Sequence, residues 1–239
     1  MMKRYFERLF NNAAIKNQNN IFSLLKKNKK AKFLDLGCDD GVFTLKLAER
    51  IGTKDIYGVE IVNAKIKKAQ KKGIIVKKFD LNRKFDFDDN FFDIIHANQV
   101  IEHLYNSDNF ISEIRRVLKP KGFAVISTEN ASSWCNILAS LMGWQIFSLT
   151  NFSSKKQGIG NPFSLHRGEE IKLNSWNHTR VYNIRGLKEY FEIFGFKVKK
   201  IKGAGYFPLP SFLGEIDKTH CHFMTFKIAI INNISSKFS

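Results

Sequence analysis

Residues 35–41 combine glycines with acidic side chains in one short segment. They read Asp35-Leu36-Gly37-Cys38-Asp39-Asp40-Gly41 and follow the apolar pair Phe33-Leu34. Glycine reaches left-handed backbone conformations that other residues avoid, so Gly37 and Gly41 allow a sharp turn and a close approach to a ligand. Ligands of open parallel sheets bind beyond the carboxyl ends of the strands. The segment therefore predicts a binding turn at the end of a strand.

The charge of this turn restricts its ligand. A nicotinamide dinucleotide site uses a G-x-G-x-x-G pattern and places the pyrophosphate at a helix N-terminus. Here Asp39 occupies the middle position, and Asp35 and Asp40 add two more carboxylates that would repel a pyrophosphate. A ligand that carries an ammonium and a sulfonium would instead be attracted. S-adenosylmethionine is such a ligand.

The elements around the turn alternate between strands and helices, which predicts right-handed crossovers and a mainly parallel sheet. The predicted strands are 31–36, 55–59, 74–78, 91–97, 123–127, 196–201 and 222–230. The predicted helices are 42–51, 62–72, 109–118 and 184–194. We therefore expect an α/β, Rossmann-like, seven-stranded, mostly parallel sheet with helices on both faces and the last strand antiparallel.

The order of these elements divides the chain into four parts. Residues 1–30 are predicted to form an N-terminal helical cover, interrupted by the Asn-rich stretch 17–20, and residues 31–128 to form the cofactor-binding core. Residues 129–180 carry all three tryptophans, Trp134, Trp144 and Trp176, and break the alternation. Since structureless loops of this length are uncommon, we expect a lid-like insertion after strand five. Residues 181–239 complete the same α/β domain.

The turn and four later segments resemble the ordered motifs of class I S-adenosylmethionine-dependent methyltransferases. The later segments are Tyr57-Gly58-Val59-Glu60, Phe79-Asp80-Leu81, residues 92–104 and residues 115–123. The resemblance implies that Glu60 holds the ribose hydroxyls and that Asp80 bonds the adenine amino group while its neighbour packs on the ring. The family's usual second glycine is Asp39 here. We expect cofactor binding to survive, with that carboxylate available to the methionine ammonium.

The resemblance yields a set of expected cofactor contacts that spans three strand ends beyond the turn. They are Asp35, Gly37, Cys38, Asp39, Gly41, Glu60, Ile61, Asp80, Leu81, Asn98 and Gln99. Any single acid at a strand end could equally cap a helix. The ordered set is what indicates the cofactor.

His103 is the predicted catalytic residue because it follows strand four, where the resemblance places the active-site rim. It would act as a general base or as a hydrogen-bond donor to the substrate, and the alternative is a structural histidine that caps the next helix. Further substrate contacts are expected from polar residues around and after the insertion, although each could be ordinary loop polarity. They are His166, Trp176, His178, Arg180, Tyr182 and His220.

The formal charge of +17 allows two interpretations. A polyanionic partner such as nucleic acid or an anionic membrane surface would explain it, and so would a composition rich in scattered lysines. The apolar stretch 134–144 is similarly open, since it suits a lid helix or a helix lying on a membrane surface. The stretch from Trp134 to Leu149 contains too many polar residues for a transmembrane helix.

Cys38, Cys135 and Cys221 are far apart and form no C-x-x-C pair, so we expect neither disulfides nor a metal site, and a cytoplasmic protein. The predicted function is O-methylation of a small or carrier-linked polar acceptor, such as a saccharide. An RNA methyltransferase is one alternative, although the chain has no N-P-P-Y or D-P-P-Y run. A non-catalytic S-adenosylmethionine-binding relative is the other. Oligomeric state is not readable from the sequence.

Overall fold

The computed structural model describes residues 2–171 and 177–231, in which strands and helices alternate. The strands are β1 (Lys32–Leu36), β2 (Asp55–Val59), β3 (Ile75–Lys77), β4 (Phe92–Asn98), β5 (Leu118–Glu129), β6 (Phe196–Ala204) and β7 (Phe223–Ile230). The helices are α1 (Met2–Leu24), α2 (Val42–Ile51), α3 (Asn63–Gln70), α4 (Ser107–Val117), α5 (Trp134–Leu141), α6 (Ile184–Ile193) and α7 (Leu213–Ile216).

The strands form one seven-stranded sheet in the order β3-β2-β1-β4-β5-β7-β6. β1 to β5 pair in parallel, and β7 runs antiparallel to both β5 and β6. The predicted fold class is therefore confirmed. The carboxyl ends of β1, β2 and β4 meet at one level, because Leu36 pairs with both Val59 and Ala97. Since β7 is antiparallel, its first residues lie at this same edge.

Neighbouring strand residues face opposite sides of the sheet and pack into two separate cores. Leu34 and Ile95 face the core covered by α4 and α6, whereas Phe33 and Ile94 face the core covered by α1 and α2. All four side chains are buried. This two-sided burial explains why the central parallel strands are rich in apolar residues on both faces.

The N-terminal helix differs from the sequence prediction. No interruption occurs at residues 17–20, and α1 is a single helix of 23 residues. Asn17 and Asn20 are buried, with 3% and 6% of their surface exposed. Their side chains hydrogen-bond across to the sheet, so polar residues that suggested a break instead form the inner face of the helix.

Asn17 attaches α1 to the carboxyl edge of the sheet. Its Nδ2 donates to Ser127 Oγ at 2.9 Å and to Asn98 Oδ1 at 3.2 Å, and its Oδ1 accepts from Thr225 Oγ1 at 2.7 Å. Asn20 Nδ2 donates to the carbonyl of Gly203. The helix is thus held over β4, β5, β6 and β7 by specific hydrogen bonds as well as by packing.

The predicted insertion begins where β5 ends and contains α5 followed by a short 3-10 turn, Phe147–Leu149. Asn136 Nδ2 on α5 donates to Ser148 Oγ at 2.9 Å and to the carbonyl of Asn130, which ties the helix to both the turn and the end of β5. In the described part of the chain, no helix is both long and apolar enough to cross a membrane.

We predict that Asn17→Leu destabilises the protein by about 2–4 kcal/mol, because a similar volume is kept while buried Ser127 and Thr225 and half-buried Asn98 lose hydrogen bonds. Urea unfolding followed by circular dichroism measures the effect. The matched control is Gln18→Leu at the neighbouring exposed position, which should change the free energy of unfolding by less than about 0.5 kcal/mol. Equal stability of the two variants would contradict the role of Asn17.

Candidate functional site

The turn between β1 and α2 has left-handed backbone at Gly37 (φ 77°), Asp39 (φ 48°) and Gly41 (φ 81°). Besides this conformation, both glycine positions lack room for a side chain. A Cβ on Gly37 would lie 2.8 Å from Val100 Cγ2, and one on Gly41 would lie 2.6 Å from Ile74 Cδ1. Asp39 therefore occupies a conformation that favours glycine, which explains why a glycine is usual there in the related motif.

Asp35 supports this turn from behind. Its carboxylate is buried, with Oδ2 accepting from Thr44 Oγ1 at 2.5 Å and Oδ1 lying 2.7 Å from His96 Nδ1. Both carboxylate oxygens are thus engaged inside the protein, by α2 and by β4. The residue joins three elements beneath the cofactor edge, and its carboxylate has no exposed oxygen to offer a ligand.

Cys38 is also turned inward. It is buried, burial raises the pKa of its thiol, and a Cβ on Gly58 would lie 2.5 Å from its Sγ. The glycine of the Tyr57-Gly58-Val59-Glu60 segment is therefore required by the packing of Cys38. The backbone N–H groups of Gly37 and Cys38 both donate to the carbonyl of Val59, which ties the turn to β2.

The carboxylate of Asp39 has a partner within the protein. Lys65 Nζ on α3 lies 2.6 Å from its Oδ1, and the side chain is largely exposed. The geometry therefore directs this carboxylate toward α3. Its expected contact with the methionine ammonium stays a prediction, and it would require this surface ion pair to rearrange.

Glu60 is the acid that faces the turn. Its Oε1 accepts from the backbone N–H groups of Ile61 and Val62 at 2.8 and 2.9 Å, and its Oε2 accepts from the N–H of Asp39 at 3.1 Å. The carboxylate therefore stands between the end of β2 and the glycine turn, oriented by three backbone donors. The side chain of Ile61 beside it is exposed.

The remaining expected cofactor contacts lie along the same edge. Asp80 Oδ1 accepts from the backbone and side chain of Asn82, and Leu81 is buried. Asn98 is held by Asn17 of α1. Gln99 has a left-handed backbone (φ 55°), and its Nε2 is buried without a hydrogen-bond partner among the described residues.

These residues fit S-adenosylmethionine. Glu60 and Asp80 present carboxylates at adjacent strand ends, suited to hydroxyl and amino donors. Glycines allow close backbone approach, and the unpaired Gln99 amide can donate to an acceptor on a ligand, since buried donors are normally paired. The excess of carboxylates suits a cationic methionine group.

A cavity of about 380 Å³ lies between the insertion, α1 and the segment after β6. Its walls are mostly aromatic and aliphatic, with Phe6, Phe10, Phe147, Phe163 and Phe207 among them. The buried lining residues Cys135 and His222 mark its inner end, whereas exposed Leu138 and Met142 mark its outer end. We call this cavity the apolar chamber.

Three groups that can accept protons meet beside the chamber. Ligand atoms of Glu102, His103 and His178 lie within 4.8 Å of one another, and we call these residues the inner cluster. His103 Nδ1 lies 3.1 Å from the carbonyl of Asn177, and His178 Nδ1 lies 2.7 Å from the carbonyl of Ser148. Because a carbonyl only accepts, each Nδ1 carries the hydrogen and each Nε2 keeps a free lone pair.

Burial changes the charge of this inner cluster. It raises the pKa of Glu102 to about 7 and lowers that of His103 to about 4. Both carboxylate oxygens of Glu102 are buried without a hydrogen-bond partner among the described residues. The lone pairs of the three groups therefore face one another, an arrangement that a proton or a cation would stabilise.

Glu129 and His222 extend the polar inner end of the chamber. His222 Nε2 lies 4.0 Å from Glu129 Oε1, and its Nδ1 lies 3.4 Å from Cys135 Sγ. Burial opposes the charge of Glu129, yet His222 and His178 lower its pKa below the usual value. Glu129 therefore keeps its negative charge at neutral pH more fully than Glu102 does.

The structure divides the predicted substrate residues. His178 joins His103 in the inner cluster, and exposed His166 lines the chamber beside its partner Glu169. Trp176 lies outside the described residues. The expected contact of the other three with a substrate stays a prediction.

Arg180, Tyr182 and His220 do not line the chamber and have partners elsewhere in the protein. Arg180 donates to Ser107 Oγ and to the carbonyl of Tyr105, and Tyr182 stacks on Tyr190. His220 stacks on Trp134 and lies 2.6 Å from Asp217. Burial alone would raise the pKa of Asp217, but hydrogen bonds from Tyr206 and His220 lower it to about 2.

The inner cluster could also hold a divalent metal ion, since imidazole nitrogens and a carboxylate are suitable donors. The sequence predicted no metal, because its three cysteines form no C-x-x-C pair. His103 and His178 are 75 residues apart and are brought together by the hydrogen bonds of Asn177 and Ser148.

Sequence reasoning did not single out Glu102, Glu129 or His222 as functional residues. Glu129 had a readable signal, because it is an acid at the end of the fifth strand, as Glu60 is an acid directly after the second. His222 had none, since its place depends on β7 being antiparallel to β5, with Phe223 opposite Glu129.

Comparison with known proteins identifies the family of this site. The model of the methyltransferase domain family matches residues 5–201, most of the chain. The chain belongs to this methyltransferase family. The resemblance seen in the sequence is confirmed, and the cofactor that it implies is S-adenosylmethionine.

Curated relatives of this methyltransferase match about half of the chain. An uncharacterised methyltransferase of Schizosaccharomyces pombe is 30% identical over 125 residues, which are 47% of this chain and 45% of that protein. The mitochondrial ubiquinone biosynthesis O-methyltransferase of Rattus norvegicus is 32% identical over 124 residues, 48% of this chain and 35% of that protein. The chain therefore spans less than half the length of these relatives.

Solved structures share the fold over nearly the whole methyltransferase. A putative methyltransferase of Haloferax volcanii in complex with the Trm112 activator has a TM-score of 0.63 at 11% identity and covers 97% of this chain and 98% of that one. An S-adenosylmethionine-dependent methyltransferase of Mesorhizobium loti has a TM-score of 0.60 at 15% identity, with 92% and 99% coverage.

We predict that S-adenosylhomocysteine binds the wild-type protein and that Glu60→Gln weakens this binding by about tenfold to 100-fold, because a charged acceptor of ribose hydroxyls is lost. Isothermal titration calorimetry measures the affinity. Asp39→Gly is the matched variant in the facing turn and should bind within about threefold of wild type, since its carboxylate is directed to Lys65. Folded wild-type protein that binds nothing would contradict this assignment of the turn.

We predict that Glu102→Gln changes how stability depends on pH. A folded-state pKa of about 7, above the ordinary 4.5, contributes stability that is present below pH 4.5 and lost as the pH rises through 7. Glutamine does not titrate, so the unfolding free energy of the variant relative to wild type should rise by about 2–3 kcal/mol from pH 5 to pH 8. Urea titrations in the presence of EDTA measure this difference.

The control is Glu49→Gln, which removes an exposed carboxylate on α2. Its unfolding free energy relative to wild type should not rise with pH. A parallel trend in both variants would assign the effect to overall charge. Repeating the wild-type titration at pH 8 with Mn²⁺ or Zn²⁺ in place of EDTA shows whether a metal ion stabilises the cluster, a gain that Glu102→Gln should lack.

Proposed function

We propose that this methyltransferase transfers a methyl group from S-adenosylmethionine to a hydroxyl oxygen of a small or carrier-linked acceptor held in the apolar chamber. The observation that carries the proposal is the inner cluster, because it gathers three proton acceptors and one of them, His178, lines the apolar chamber. An acceptor hydroxyl could donate to these lone pairs. The curated relatives that are named O-methyltransferases support the same reaction type.

His103 is the proposed general base. Its Nδ1 donates to the Asn177 carbonyl, so its Nε2 can receive a proton at a fixed position. Burial lowers its pKa to about 4, which keeps the ring neutral at physiological pH. Glu102 and His178 stand beside it to share the proton that it receives.

The chain's own residues would hold and orient the cofactor. Glu60 receives the ribose hydroxyls, Asp80 the adenine amino group, and the glycine turn the methionine portion. When bound, S-adenosylmethionine supplies an electrophilic methyl group. The insertion and α1 cover the acceptor and exclude water, which strengthens electrostatic interactions inside the site.

The chamber walls bear on the identity of the acceptor. Aromatic and aliphatic side chains suit an apolar body, such as a phenol ring with alkyl substituents, with its hydroxyl at the polar inner end. The saccharide acceptor expected from the sequence stays a prediction, since sugars need a polar lining. An RNA acceptor is less well supported, because the walls close around a volume of about 380 Å³.

We predict that His103→Asn lowers kcat by about 10²–10⁴-fold while the affinity for S-adenosylhomocysteine stays near wild type, because only proton removal is lost. The measurement is formation of S-adenosylhomocysteine with a panel of alkyl-substituted phenols and catechols, alongside monosaccharides. His166→Asn, an exposed histidine of the chamber lining, is the control and should retain most of its activity.

Titration of His103 should not change the activity of the wild-type enzyme above about pH 5, because the imidazole is already in its base form there. Full turnover by His103→Asn would remove the residue from the mechanism. Turnover of monosaccharides but not phenols would instead support the acceptor expected from the sequence.

A further inference from the structure

Exposed apolar side chains gather on two segments near the apolar chamber. On α5 and the residue after it they are Leu138, Leu141 and Met142, the last two with 77% and 62% of their surface exposed. On the segment after β6 they are Leu209, Phe212 and Ile216, the last two with 65% and 83% exposed. We call these six residues the apolar rim.

The two halves of the apolar rim adjoin each other. Leu138 and Met142 line the chamber together with Phe207 and Pro208. The same Phe207 and Pro208 also line a second pocket, whose other walls include Leu209 and Phe212. Exposed apolar side chains of this size are normally scattered singly, so their concentration on two segments linked by Phe207 and Pro208 marks an interaction surface.

Lysines gather beside this rim. Lys202 precedes Gly203, which lines the second pocket together with Lys16, and the Cα of Lys218 lies 3.7 Å from the place of a Cβ on Gly203. In agreement with this placement, burial and the like charges of Lys200, Lys16 and Lys218 lower the pKa of Lys202. Lys16 lines the second pocket with Leu209 and Phe212, and Lys218 follows Ile216 by two residues. The nearby carboxylate of Asp217 is engaged by Tyr206 and His220.

We propose that the apolar rim and its four lysines form a docking surface for an anionic lipid bilayer. Apolar side chains on short helices and turns can enter the interface between headgroups and acyl chains, and lysines near the surface are attracted to anionic headgroups. The rim is mainly aliphatic, whereas surfaces that bind single-stranded nucleic acid offer aromatic stacking platforms. The chemistry therefore matches a lipid surface.

The same placement would bring the outer end of the chamber against the bilayer. An acceptor with an apolar body could then pass from the lipid phase into the chamber without crossing water. This consequence rests on the proposed function, but the docking itself does not, because binding to vesicles can be measured without any methyl acceptor.

The test is co-sedimentation of the full chain with phosphatidylcholine vesicles that contain or lack phosphatidylglycerol. We expect binding to the anionic vesicles, weakening as salt is added. Phe212→Ser combined with Ile216→Ser should weaken binding by about tenfold or more, since both side chains are exposed and their loss leaves the core intact. The matched control is Ile193→Ser on α6, an equally exposed position elsewhere on the protein.

The lysines are tested in the same way. Lys200→Ser combined with Lys218→Ser should weaken binding to anionic vesicles by about tenfold or more, whereas Lys67→Ser combined with Lys68→Ser on α3 removes equal charge and should have a smaller effect. Equal losses of vesicle binding in both double variants would show that only the net charge matters, and would overturn the proposed surface. Absence of vesicle binding would overturn it too, as would a rim variant that changes only the oligomeric state in light scattering.

Discussion

The buried carboxylate of Asp35 is the interaction on which the cofactor edge depends. It lies at the end of β1 and binds Thr44 on α2 and His96 on β4, so that one side chain joins the three elements that surround the glycine turn. A buried carboxylate is costly unless both oxygens are hydrogen-bonded, and here both are. The turn can hold its left-handed residues because the chain on either side is fastened. The acid of the motif therefore works by positioning the turn.

On the acceptor side of the same edge, a buried carboxylate lacks hydrogen-bond partners. At the inner cluster, the lone pairs of Glu102, His103 and His178 face one another. Such an arrangement is unfavourable by itself, since each buried acceptor has given up water. It is suited to a proton, a cation or an acceptor hydroxyl. The carboxylate of Asp35 is paired at both oxygens, whereas both oxygens of Glu102 lack a partner among the described residues.

Elements outside the recognisable motifs decide the shape of the acceptor site. Asn17 of α1 holds Asn98 at the end of β4, and α1 also contributes Phe6 and Phe10 to the chamber. α5 and the segment after β6 supply the rest of the walls and the exposed rim. The cofactor edge and the acceptor chamber thus share one supporting helix, which explains why a polar face of α1 must be buried.

The sequence by itself determined the sheet, the glycine turn and the methyl donor. These features rest on local patterns, because apolar runs, glycines and acids at strand ends are read along the chain without knowing what packs against them. Only the tertiary structure decided that Asn17 belongs inside a continuous helix, that Asp39 is turned to Lys65, and that His103 meets His178. It also placed Glu129 beside His222, through the antiparallel pairing of β5 with β7. Each of these depends on contacts between residues far apart in sequence, whose energies no local pattern records.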